Sequence, residues 1–209
     1  YEIRNCDWSS DVCSSDLPAI AFDHWQTFRS TSCGRAVDRM EIRIDSPAPF
    51  NQVGEILTKG MNVMDGYYNN PEASNAVLSP DGWLHTGDLG VLDPDGYLYI
   101  KGRSKSLILG PSGQNIYPEE IEDLLNAQPY IAESLVIERE GKLVALVYPD
   151  AEAMKQNKIS RETLLKIIHE TRKQINQQLP AYSQIARIEI HDEEFEKTPK
   201  RSIKRFLYQ

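Results

Sequence analysis

The sequence is poor in the features that mark membrane-spanning, disulfide-stapled and nucleic-acid-binding chains. No apolar run nears the ~18 residues that a bilayer-spanning helix requires, and no charged, apolar and small-residue blocks follow one another in signal-peptide order. A cytoplasmic location is therefore expected, with no transmembrane segment and with peripheral membrane contact left open. Cysteine is scarce: Cys6, Cys13 and Cys33 lack metal-ligand spacing, and their odd number does not suggest a disulfide framework, so reduced thiols are expected. Positive charge is short too. Lys and Arg number 23 against 31 Asp and Glu, a net charge of −8, which argues against nucleic acid as a partner and favours a small molecule. Internal repeats and low-complexity tracts are absent. What is there is 209 residues, 40% hydrophobic and 26% charged, enough for two compact units that each bury a core.

The opening YEIRNCDWSSDVCSSDL has no apolar period of either 2 or 3.6. Every residue from Asp7 to Asp16 matches the translation of a common sequencing-library adapter, so residues 1–17 are expected to be an artefact or disordered and are set aside from fold reasoning. On that reading the gene is cut on the N-terminal side, and Cys6 and Cys13 are not native.

Beyond Pro18 the chain reads in two grammars. Residues 18–103 hold short strands between turn signals, at Met40 to Ile44, Glu55 to Thr58 and Tyr97 to Lys101, with a short helix at Pro71 to Leu78. Residues 104–209 alternate helices with strands. A helix starts at Tyr117-Pro118, a hairpin joins Ser134 to Glu138 and Leu143 to Tyr148, and Ser160 caps a helix whose Leu164, Ile168, Thr171, Ile175 and Leu179 form one stripe. A last strand is expected at Ile185 to Ile190. The fold class is α+β, a β-rich remnant followed by a small mobile lid.

Two constellations carry chemistry. Gly82-Trp83-Leu84-His85-Thr86-Gly87-Asp88-Leu89-Gly90 gathers three glycines and a carboxylate around what reads as a turn. Glycines permit close backbone approach, and an ionised Asp accepts two hydrogen bonds from a vicinal diol, as in a ribose. Fifteen residues beyond Asp88, Arg103 offers a fixed guanidinium fork suited to hydroxyls or phosphate. Taken singly, each has a plainer reading, as a turn and as a solvated charge.

In order and spacing, the runs GEILTKGMNVMDGYYNNPEAS, GWLHTGDLG and GYLYIKGRSKSLILGPSGQNIYPEEIE resemble the adenylate-forming (AMP-binding) superfamily. CGRAVDRMEIRIDSP and GQNIYPEEIE look most like bacterial long-chain fatty-acid CoA ligases. The resemblance implies ATP, Mg²⁺, coenzyme A and a fatty acid as ligands: the carboxylate attacks the α-phosphate to give acyl-adenylate, and the CoA thiol then displaces AMP. It implies that Asp88 holds the AMP ribose, Arg103 contacts the same sugar and Ile100 packs beside it. Lys105 falls at the family's hinge, and Gly113, with Ser112 beside it, falls where pantetheine passes. Glu120 and Glu122 match family carboxylates and read equally well as helix-dipole and surface charges.

The chain departs from the family in a block like KTPxGKIKR. Here it reads Lys197-Thr198-Pro199-Lys200-Arg201-Ser202-Ile203-Lys204-Arg205, which puts Ser202 where the catalytic lysine belongs. Lys200 and Lys204 are the candidates to supply its charge. The family's upstream phosphate loop and acyl pocket do not appear, so the fragment alone is expected to be inactive. The rival readings are a ligase that loads a carrier protein and a non-catalytic lid or regulatory module.

Overall fold

The computed structural model describes residues 19–23, 26–198 and 201–209. The segment 1–17 and the candidate Lys200 lie outside them. The chain divides into two compact units, the first ending at Lys105 and the second running Ser106–Gln209.

In the first unit, β1 (Ala21–Phe22) pairs antiparallel with β2 (Arg35–Ala36). Four antiparallel strands then form a meander in the order β3-β4-β5-β6: Met40–Asp45, Gly54–Gly60, Leu84–Leu92 and Leu98–Arg103. Along β3 the burial alternates, so Met40 and Ile44 enter a core with Ile56, Leu84 and Leu98. Helix α1 (Pro71–Val77) starts as its sequence dictates, with Asn70 accepting from the Ala73 N–H and Pro at the first turn.

One expectation is overturned here. The glycine-rich run around Asp88 lies inside β5, and the turn sits within the strand as a bulge. The register jumps from Leu57↔His85 to Glu55↔Leu89, so three residues of β5 oppose the single Ile56 of β4. Gly87, with φ +73°, supplies the left-handed residue that such a bulge requires.

In the second unit, a two-strand ribbon of β7 (Ile108–Leu109) and β8 (Asn115–Ile116) leads into α2 (Pro118–Asn126). Strands β9 (Ile131–Arg139) and β10 (Lys142–Pro149) form an antiparallel hairpin. Glu140 and Gly141 at its turn both have positive φ, 55° and 73°, as a type I′ turn demands. After α3 (Ala151–Gln156) and α4 (Arg161–Gln178), β11 (Ile185–Ile190) returns parallel to β10, the crossover that a parallel pair needs. The sheet order is β11-β10-β9.

Period-2 alternation sorts the side chains of this sheet between two layers. Val136, Leu143, Ala145 and Val147 meet Ile121 and Leu125 of α2 and Leu164, Ile168 and Ile175 of α4. Leu135, Ile137, Val144 and Leu146 face the other way and are covered by Phe195, Ile203 and Tyr208 of the C-terminal segment. Burial on both faces explains why β10 reads as the unbroken run Leu143-Val144-Ala145-Leu146-Val147.

Candidate functional site

Asp88 and Arg103 face each other across β5 and β6 as a register pair, with Arg103 Nε 3.0 Å from Asp88 Oδ1. Both side chains are largely buried, at 8% and 18% exposure, so their attraction is screened little by water. The Asp88 N–H donates to Thr86 Oγ1 at 3.1 Å, and Thr86 Oγ1–H donates to the Ile56 carbonyl at 2.8 Å. That chain of bonds ties the carboxylate's backbone to the neighbouring strand across the bulge. Ile100, on β6, packs against the core of the same unit.

Glu55 is the supporting residue that sequence reasoning missed. Its Oε1 accepts the Gly87 N–H at 3.0 Å, and its Oε2 lies 2.9 Å from His85 Nδ1. One carboxylate thus closes both sides of the bulge that presents Asp88. Glu55 stands in the first of the matched runs, but its partners lie 30 and 32 residues away, across a strand pairing that no local pattern signals. An added Cβ at Gly87 would meet no atom within 4 Å, so space in front of the bulge is open. An ionised carboxylate at Asp88 supplies the acceptors that the two hydroxyls of a ribose diol require. Among the described residues no group of three or more His, Cys, Asp and Glu could hold a metal ion.

The remaining candidates are dispersed. Lys105 is exposed in the 3₁₀ turn Ser104–Ser106, where the first unit ends. Ser112 and Gly113 are exposed in the loop between β7 and β8. Gly113 has φ +78° and donates its N–H to the Gly110 carbonyl at 2.8 Å, so the turn itself calls for glycine. Ser202 lies in a hairpin closed by the Lys197↔Ile203 bridge, where its carbonyl accepts the Thr198 N–H at 2.8 Å. Lys204 Nζ is 3.2 Å from Glu196 Oε2, an exposed pair that holds the amine only weakly.

Glu122 corrects the surface reading. It is 8% exposed and lies on the buried face of α2 with Pro118, Ile121 and Leu125. Arg205 Nη1 and Nη2 donate to its two oxygens at 2.9 and 2.5 Å, and the Val136 N–H donates to Oε1 at 2.6 Å. Burial pushes this carboxyl up to about 7, against the downward pull of Arg205 and the Val136 N–H.

Comparison with known proteins gives a consistent picture. A family profile described as AMP-binding enzyme C-terminal domain matches residues 105–208. The chain is 44% identical over 127 residues to an indoleacetate–CoA ligase of Aromatoleum aromaticum, covering 57% of this chain and 24% of that protein. It is 36% identical over 161 residues to a 2-succinylbenzoate–CoA ligase of Bacillus cereus, covering 75% and 32%. Among solved structures, the o-succinylbenzoate coenzyme A synthetase of Bacillus subtilis in complex with ATP and magnesium superposes with a TM-score of 0.66. The two are 30% identical, over 85% of this chain and 35% of that one. The chain thus spans a quarter to a third of the length of the curated relatives named here.

Proposed function

We propose, from the premise that this chain belongs to the adenylate-forming superfamily, that it is the C-terminal portion of an AMP-forming coenzyme A ligase. The observation that carries the reading is the Asp88–Arg103 pair, held on adjacent strands beside an open glycine bulge. In the complete enzyme Asp88 accepts hydrogen bonds from the AMP ribose, Arg103 fixes the carboxylate and reaches the same sugar, and Ile100 forms an apolar wall beside it. Residues 18–103 then close the large nucleotide domain, and residues 104–209 form a lid that turns at Lys105. Ser112 and Gly113 line the pantetheine path in the pose that forms the thioester. ATP, its Mg²⁺ counter-ion and coenzyme A are substrates or their companions, and the acid is an organic carboxylate.

Adenylation needs a cation near the α-phosphate, because negative charge builds there as the carboxylate attacks. Lys200 or Lys204 supplies it in place of Ser202. Lys200→Ala should depress acyl-adenylate formation while sparing thioester formation from preformed adenylate, and unchanged adenylation assigns the role elsewhere.

The test of the function is AMP release by the complete ligase with ATP and CoA, run against palmitate, indoleacetate, 2-succinylbenzoate and sulfoacetate. Palmitate represents the acids of the long-chain fatty-acid CoA ligases that the two sequence runs resemble, and the others are the acids named for the relatives. AMP release with at least one acid supports the ligase, and preference among them sets its substrate class. No CoA-dependent AMP release with any acid would remove the reading.

A further inference from the structure

The C-terminal hairpin is gripped on both legs. On the first, Lys197 Nζ sits between Glu133 Oε1 at 2.5 Å and Glu194 Oε1 at 2.7 Å, and these two carboxylates raise its pKa. On the second, Arg205 holds both oxygens of Glu122 and reaches Glu119 at 3.4 Å. Glu133 belongs to β9, and Glu122 belongs to α2, which packs on it.

The Glu122–Arg205 pair also covers the free edge of β9 at Val136. Val136 donates its N–H to Glu122, and its carbonyl lies 3.4 Å from Arg205 Nη1, so both polar groups that an edge strand leaves open face the ion pair. The clasp therefore sits at a fixed point of the sheet. Between its two halves lie residues 198–204, which contain Lys200, Ser202 and Lys204.

We propose that Glu122 and Arg205 are positioning residues for adenylation, fixing the place of the adjoining Lys204, whose backbone N–H donates to the Glu196 carbonyl at 2.8 Å. The inference rests on the ligase reading above. Lys197 and Arg205 are themselves held by carboxylates, so they serve as anchors of the segment. They are separate from the rest of the segment's anchorage. Phe195 is buried, its ring lies 5.3 Å from that of Tyr208 and 4.9 Å from that of His191, and the Tyr208 hydroxyl accepts the Glu196 N–H at 2.8 Å. Those contacts survive loss of the clasp, so the tail stays docked while the hairpin root shifts.

Two variants separate positioning from plain stabilisation. Arg205→Ala leaves Glu122 buried without its partner, and Glu122→Leu combined with Arg205→Leu leaves no buried charge. In this chain the double variant should speed amide exchange at Thr198, whose N–H bonds the Ser202 carbonyl, while exchange in β10 stays unchanged. In the complete ligase both variants should lower acyl-adenylate formation by about 10²-fold, the loss expected for a misplaced reacting group, and leave thioester formation from preformed adenylate near wild type. An active wild type whose double variant keeps full adenylation, or loses both half-reactions equally, would overturn the inference. An inactive wild type would instead count against the ligase reading, and the exchange result at Thr198 would still decide whether the clasp holds the hairpin.

Discussion

Replacing Glu122 by Gln should change the pH dependence of stability in a direction fixed by competition inside the second unit. In the folded chain burial lifts this carboxyl from its ordinary 4.5 to about 7, and the guanidinium of Arg205 only partly offsets that lift. Between those two pH values the folded protein holds a proton that the unfolded chain has released. Stability contributed by Glu122 is therefore greatest below pH 4.5, falls as pH rises, and levels off above 7. A difference of about 2.5 units at 1.36 kcal/mol each amounts to roughly 3 kcal/mol across the window. The amide of the Glu122→Gln variant cannot titrate, so the stability of wild type minus that of the variant should fall by that amount between pH 4.5 and 7. Native-state exchange of the slowest amides of β9 and β10 reads it directly. A difference that is flat, or that rises with pH, would mean that the bidentate Arg205 bond outweighs burial and that the folded pKa lies at or below 4.5.

Other perturbations probe the scaffold. Leu125→Ala empties a fully buried site between α2, α4 and the sheet and should cost about 2–5 kcal/mol by denaturant unfolding followed by far-ultraviolet circular dichroism. Ser160→Ala removes the acceptor of the Thr163 N–H and should cost about 1 kcal/mol in the same assay, seen as fraying of the first turn of α4. Gly141→Ala forces a side chain into the left-handed half of the type I′ turn and should cost about 1–2 kcal/mol, with β9 and β10 amides exchanging faster.

The second unit was the more legible in sequence. Its long helix announced itself through Ser160 and the stripe from Leu164 to Ile175, and its hairpin through Glu140-Gly141 between apolar runs. The first unit hid β5, because three glycines in nine residues read as a turn when they are a strand interrupted by a bulge. Helix α3 was missed because its six residues are too short to show a period. Asp88 and Arg103 were legible as a pair of motifs, and the sheet brings them to 3.0 Å. Glu122 carried a signal that went unread: Pro118, Ile121, Glu122 and Leu125 follow the spacing of a buried helix face. Its partner Arg205, 83 residues on, carried none, since ion pairs between distant elements leave no local pattern.

The central claim is that Asp88 holds the nucleotide sugar of an adenylating ligase. The most direct measurement is kcat/KM for ATP in CoA-dependent AMP release, comparing the complete wild-type enzyme with Asp88→Ala after the fold has been checked by circular dichroism. Losing hydrogen bonds to a charged acceptor should lower kcat/KM on the order of 10- to 100-fold. Wild-type kcat/KM in the folded variant would contradict the assignment.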